Sequence, residues 1–273
     1  MICFSVISAA LWSIVYLNCF RRLKYYALCS NSSFQVDSFL IQLGAVCKAP
    51  MRHTATQVYQ RLLERLGPQQ WWPADSPFEV MVGAVLVQNT AWKNVVRAID
   101  NLRDAGLLEL PRLAAASHVQ LEELIRPAGY FRIKARRLRG LLNFILEQYD
   151  GSIDAMRAAD LDLLRDQLLA VYGIGPETAD SILLYALDKP ALVVDTYTHR
   201  IFARHGWIDH DCDYHQLQEH LSNDLPLDLA LYNEFHALLV NVGHHYCRRT
   251  DPHCGECPLQ EMLPDSGIVL PED

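Results

Sequence analysis

The chain has 273 residues, 51% hydrophobic and 21% charged, a composition that supports a full buried core and excludes disordered and fibrous classes. Its 24 basic and 32 acidic side chains give a net charge of −8; in the first 50 residues Arg21, Arg22, Lys24 and Lys48 are opposed only by Asp37, so the remainder carries −11. Bulk attraction to a polyanion is therefore excluded, and any nucleic-acid binding must be local.

In chain order, Met1 to Phe20 carries no charge and is just long enough to cross a bilayer, with Arg21, Arg22 and Lys24 directly after it. It lacks the basic start of a secretory signal. Residues 1–50 thus read either as a membrane anchor or as an upstream extension outside the mature protein. Cys3, Cys19, Cys29 and Cys47 are irregularly spaced there, so no disulfide framework is read.

From residue 51 onward the pattern is helical almost throughout. Val58, Leu62, Leu63 and Leu66 form an apolar face ending at Gly67-Pro68. Ser76-Pro77-Phe78-Glu79 reads as a capping box with proline at the first helical position, and Ser117 to Gln120 as a second box. A helix is expected from Ala91 to Ala105, then others over about 133–149, 161–172, 176–187, 196–204, 214–222 and 228–242. Strand character is confined to short runs such as Leu192-Val193-Val194. The expected class is all-α.

Within "VYGIGPETAD", Gly173 is a natural left-handed helix stop, Gly175 a second position free of Cβ, and Pro176 a helix start. Backbone N–H groups of Gly173, Ile174 and Gly175 then point outward beside a positive helix end, an arrangement that suits an anion without lysine or arginine. The same residues also read as an ordinary helix–helix turn. Downstream, "ALVVDTYTHRIF" delivers Asp195 to the start of a new helix, where it is either an idle N-cap or a carboxylate held ionised by the helix end.

Hairpin and aspartate together resemble the signature of the helix-hairpin-helix DNA glycosylases of the endonuclease III superfamily, in which a G-[VI]-G hairpin is followed by V-D-T. The resemblance covers about residues 55–262. It implies two helical domains flanking a cleft: a helical barrel over 76–189 carrying the hairpin, and a second domain joining 51–75 to 190–273. It also implies an enzyme that rotates a damaged nucleotide out of the duplex and cuts the base–sugar bond. Asp195 takes the catalytic position, and Gly173, Ile174, Gly175 and Thr178 take DNA-binding positions. In lyase-competent relatives a lysine stands where this chain has Glu177, and a carboxylate cannot form a Schiff base. The implied enzyme is therefore monofunctional and leaves an abasic site for a separate endonuclease. Glu177 is not expected to be catalytic.

The stretches "QQWWPADS" and "QNTAW" are similar to the 3-methyladenine DNA glycosylase III branch, where W-W-P and an aromatic after Q-N-T line the base pocket. Trp71, Trp72, Pro73 and Trp92 are thus the expected pocket, with Trp72 and Pro73 facing Trp92 across a flipped base; Gln88 is expected to fill the gap left in the duplex. Stacking a cationic alkylated purine on indole is worth roughly 0.5–2 kcal/mol more than stacking the neutral base. Arg126, Arg132, Lys134, Arg136, Arg137 and Arg139 form an acid-free run, in which Tyr130, Arg132 and Lys134 are the expected phosphate contacts.

Cys247, Cys254 and Cys257 match the first three ligands of the superfamily's C-x6-C-x2-C-x5-C [4Fe–4S] motif, but the fourth position is Leu263. A cluster with an outside ligand, zinc with a nearby histidine, or a vestigial loop all remain open. The chain is expected to act as a monomer on double-stranded DNA in the cytoplasmic nucleoid. Two other functions stay open: a glycosylase for oxidised or mismatched bases, and a DNA-structure-binding protein without chemistry.

Overall fold

The computed structural model describes residues 53–69, 71, 72 and 74–271, all within one compact unit. The extension over residues 1–50 and Pro73 lie outside them. The fold is all-α: among the described residues there is no β-strand, and no helix is long and apolar enough to cross a membrane.

The helices are α1 (Ala55–Leu66), α2 (Pro77–Leu86), α3 (Trp92–Asp104), α4 (Leu110–Ala115), α5 (His118–Leu124), α6 (Phe131–Tyr149), α7 (Ile153–Ala158), α8 (Leu161–Ala170), α9 (Pro176–Ser181), α10 (Thr196–Arg204), α11 (Tyr214–Asp224) and α12 (Leu229–His245). Side-chain caps set most of their starts. Thr54 accepts from Gln57 N while Gln57 returns a bond to Thr54 N, and Asp213 and Gln216 repeat the exchange at α11. At α2 only half of the expected box forms. Ser76 caps Glu79 N, but the Glu79 carboxylate turns instead to Arg103, 2.8 Å away, and to Asp75 N. Ser117 likewise caps Gln120 N.

Three expectations change. The helix expected over 176–187 is α9 followed by a π turn, Ile182–Ala186. The change of register coincides with Ser181, whose hydroxyl bonds back to Glu177 O at 2.7 Å, a bond that bends helices. Leu192-Val193-Val194 is buried but is no strand, because its polar groups go to side chains. Leu192 O accepts from Gln218 Nε2 at 2.6 Å, and Val194 N reaches the Tyr214 hydroxyl at 3.4 Å. The short helices α4 and α7 had no sequence signal, since six residues are too few to display a period.

Two apolar clusters make the core. One gathers α2 through α9 and ends at Ala191; the other joins α1 to Leu192–Val194, α10, α11 and α12. Tyr185, in the π turn, packs against both. A buried polar knot also ties them. Asp180, fully buried, accepts from Arg165 Nε (2.6 Å), Arg165 Nη2 (3.0 Å), the Tyr214 hydroxyl (2.7 Å) and Gln218 Nε2 (2.7 Å). With both carboxylate oxygens saturated, the charge is tolerable inside. The knot fixes α9, and so the hairpin before it, relative to the segment that leads to Asp195.

Candidate active site

The hairpin is built as its sequence demands. Gly173 has φ +81°, and a Cβ there would lie 2.3 Å from Arg137 Cγ, so both conformation and space require glycine. Ile174 is buried and anchors the loop. Gly175 caps α9 with Pro176 at its first position, and no heavy atom lies within 4 Å of where its Cβ would stand. Space is therefore open in front of the helix start. Gln88 braces the loop from behind: its Nε2 donates to Gly173 O (3.0 Å) and to Thr178 Oγ1 (2.9 Å), while Arg137 donates to its Oε1. Thr178 is buried. Gln88 and Thr178 thus hold the hairpin in shape in this structure.

Asp195 is the N-cap of α10. Its Oδ1 accepts from Thr198 N (2.7 Å) and Thr198 Oγ1 (2.8 Å), and its Oδ2 lies 3.7 Å from His236 Nε2. Burial alone would raise its pKa, but His236 and the two Thr198 donors outweigh that and hold the carboxyl below its ordinary range. It is an anion held in a nearly enclosed place, with its side chain 10% exposed. Glu177, in the first turn of α9, behaves oppositely. Solvent reaches it, yet partial burial and then the Asp195 charge push it up to about 7, against a smaller opposing pull from His236. The two carboxyls therefore feel each other's charge, and their affinities for a proton are driven apart.

His236 and Tyr185 escaped the sequence reading. The Tyr185 hydroxyl lies 2.5 Å from His236 Nδ1, and its ring packs on Trp72 with centroids 5.0 Å apart. A buried histidine on the apolar helix "NEFHALLV" was the only available hint.

The aromatic residues come together, but not as a sandwich. Trp72 and Trp92 meet edge to face, with centroids 5.1 Å apart and planes at 87°, both resting on Gly83 of α2. A base stacked between two rings needs parallel faces separated by a third ring, so these two form one wall rather than two. Trp71 joins them, 6.5 Å from Trp92. Behind the wall, a cavity runs from Trp72 and Trp92 to Glu79, Asp100 and Arg103.

The basic run splits by helical register. Tyr130 is exposed at the start of α6 in a left-handed conformation (φ +45°), and Arg132 is exposed beside it, its guanidinium over the Phe131 ring. Lys134 is a correction: it is buried, and its Nζ donates to Leu86 O (2.9 Å) and Ala128 O (2.8 Å), so it cannot reach a phosphate. Burial, with a smaller contribution from Arg137, lowers it to about 8. Arg139 also turns inward, to Ala114 O at 2.5 Å and to Ala116 O.

With this geometry in hand, comparison decides the lineage. The pattern described as HhH-GPD superfamily base excision DNA repair protein matches residues 82–226. The chain belongs to that superfamily. It is 46% identical over 208 residues to a candidate DNA repair glycosylase of Methanocaldococcus jannaschii, covering 76% of this chain and 94% of that protein. Among solved structures it is similar to the H. pylori 3-methyladenine DNA glycosylase bound to 1,N6-ethenoadenine, at TM-score 0.58 and 31% identity, covering 69% of this chain and 96% of that one. An endonuclease III–DNA complex shares the fold at TM-score 0.67 and 23% identity, over 78% of this chain and 96% of that one. The chain is thus a helix-hairpin-helix member of the endonuclease III superfamily with a 3-methyladenine glycosylase-like relative.

Endonuclease III homologues raise the question of a four-thiolate iron–sulfur cluster. In this HhH-GPD chain, Cys247, Cys254 and Cys257 are free and line one small cavity together with Leu263 and Ile268. Leu263, at the fourth position, offers no donor. Among the described residues no group of three or more histidine, cysteine or acidic side chains is placed to hold a metal. The residues present do not fit a four-thiolate cluster, and no chemistry is routed through one.

Proposed function

We propose that the protein is a monofunctional DNA glycosylase for alkylated purines, with Asp195 as the catalytic carboxylate. The single observation that carries this reading is the arrangement of the two acids. An ionised Asp195 stands across from a hairpin whose first helical turn offers Glu177 where a lyase needs an amine. A duplex backbone docks on the N–H groups of Gly173 and Gly175, the Ile174 N–H being held by Val171 O, and on Tyr130 and Arg132. The two apolar clusters act as lobes flanking the cleft, and the extruded base enters beside Trp72.

The bond from C1′ to the base nitrogen breaks with its electron pair going to the base, which cancels the positive charge of an alkylated purine. Asp195 stabilises the oxocarbenium-like sugar that remains and takes a proton from the water that adds to C1′. Repulsion between Glu177 and the sugar-phosphate strand is softened because Glu177 is largely protonated below about pH 7. The product is an abasic site, which a separate endonuclease cuts; the enzyme acts as a monomer on chromosomal duplex. Substrate class is supported by the aromatic wall and by the 31% identical relative whose name specifies 3-methyladenine. The test is base release from duplex DNA alkylated at adenine N3, compared with duplex carrying oxidised pyrimidines. Release of the alkylated base alone supports the reading, and preference for the oxidised base overturns it.

A further inference from the structure

Asp195 has one oxygen fully engaged and one that faces a single partner. Oδ1 takes both Thr198 donors, while among the described residues Oδ2 faces only the Nε2 of His236, at 3.7 Å. That nitrogen is buried, and at this distance it has no hydrogen-bond partner. An orphaned buried ring nitrogen costs free energy, and its presence calls for an explanation. On the other side of the ring, Nδ1 lies 2.5 Å from the Tyr185 hydroxyl. Tyr185 keeps its proton, because burial and then the charges of Asp195 and Glu234 push it well above its ordinary value. A phenol that keeps its proton can donate to Nδ1, and the remaining ring proton then sits on Nε2, aimed at Asp195.

We propose that His236 is the positioning residue for Asp195: Tyr185 donates to Nδ1 and fixes the tautomer whose Nε2–H is directed at Oδ2. The claim rests on Asp195 being the catalytic carboxylate. Its consequence is mechanical as well as electrostatic. Thr198 alone leaves Oδ2 unrestrained, so His236 determines which oxygen faces the sugar and favours its ionised form until water gives up a proton to it. The π turn that carries Tyr185 also packs it on Trp72, which couples the aromatic wall to the carboxylate through two side chains. A base pressed against that wall bears on Tyr185 and, through it, on the ring that faces Oδ2.

Two measurements test this. Nitrogen-15 NMR of the His236 ring in the free full-length protein reports the tautomer without any need for activity. The expected state has the proton on Nε2 and a bare Nδ1, and in Tyr185→Phe, without the phenol donor, the same proton becomes shared with Nδ1 as the second tautomer is populated; a proton on Nδ1 in the wild type overturns the proposal. Single-turnover release of 3-methyladenine from duplex DNA is then measured for His236→Ala and His236→Gln, with the Kd for a duplex containing a tetrahydrofuran abasic analogue as the control for fold and docking. Loss of an N–H directed at an ionised oxygen, a contact that closes to a hydrogen bond as the sugar gains charge, predicts a release rate roughly 10- to 100-fold lower in His236→Ala with an unchanged Kd. His236→Gln, which restores an N–H donor, should recover part of the rate. A wild-type rate in His236→Ala while Asp195→Asn is inactive overturns the positioning role and leaves the glycosylase reading standing. A wild-type rate in Asp195→Asn removes the carboxylate that His236 serves and overturns both.

Discussion

Arg137 lies directly across the left-handed turn at Gly173, its Cγ 2.3 Å from where a Cβ on that glycine would stand. The same arginine donates to Gln88, which in turn holds Gly173 O and Thr178 Oγ1. The hairpin is therefore clamped from behind; against expectation the Ile174 N–H is spent inside the turn, on Val171 O at 3.1 Å, so only Gly173 and Gly175 can offer theirs. Gly173→Ala must distort the φ of +81° or displace Arg137, at a cost of about 1–3 kcal/mol. Thermal unfolding should show that loss, and duplex binding should weaken with it. Gly175→Ala, where nothing lies within 4 Å, should keep its thermal stability and weaken duplex binding only.

Asp180 is the buried centre of the knot between α8, α9 and α11. Asp180→Ala removes the anion that pairs with Arg165 and the acceptor of the Tyr214 hydroxyl, leaving Arg165 with Gln218 Oε1 and Gln218 Nε2 with Leu192 O, a loss of about 3–5 kcal/mol. Denaturant unfolding measures it. Asp180→Asn should cost less, since it keeps an acceptor for Tyr214.

Lys134 and Arg132 make opposite predictions from the same basic run. Lys134→Met strands Leu86 O and Ala128 O and should cost about 1–3 kcal/mol of stability with little change in the salt dependence of binding. Arg132→Ala should leave stability within about 0.5 kcal/mol and reduce the slope of log K against log salt by about one.

Glu177 gives a pH signature whose sign follows from its folded pKa of about 7 against an ordinary 4.5. A carboxyl with a raised folded pKa contributes stability below the unfolded value and loses it as pH rises through the folded one. Relative to Glu177→Gln, the wild type should therefore lose stability between pH 4.5 and about 7 and hold a constant difference above that. The melting-temperature difference between the two, followed across pH, checks this. Borohydride should trap no covalent adduct between the wild type and abasic DNA.

What the sequence disclosed was what local backbone chemistry dictates. Pro176 and Asp195 announce a helix start and a cap, and the structure uses both in that way; Gly173 is left-handed as expected but sits in the turn, α8 having already ended at Ala170 with Val171 extended. The all-α class followed from helical periodicity, which most of the chain displays. Lys134 misled because a run of positive charge reads as solvated surface, although its spacing from Leu138, Leu141 and Ile145 places it on the apolar stripe of α6. Tyr185 and His236 were hidden for a different reason. Their contact depends on a π turn and on two elements 51 residues apart, and nothing local encodes either. The edge-to-face meeting of Trp72 and Trp92 depends in the same way on how closely α2 and α3 pack at Gly83.

Release of 3-methyladenine from duplex DNA by the wild type and by Asp195→Asn under single-turnover conditions tests the central claim most directly. Free base and an intact abasic strand are expected from the wild type, and a rate at least about 100-fold lower from Asp195→Asn with duplex binding retained, since the variant can neither offset the sugar's charge nor accept water's proton. Equal release by both proteins would rule out Asp195 as the catalytic carboxylate.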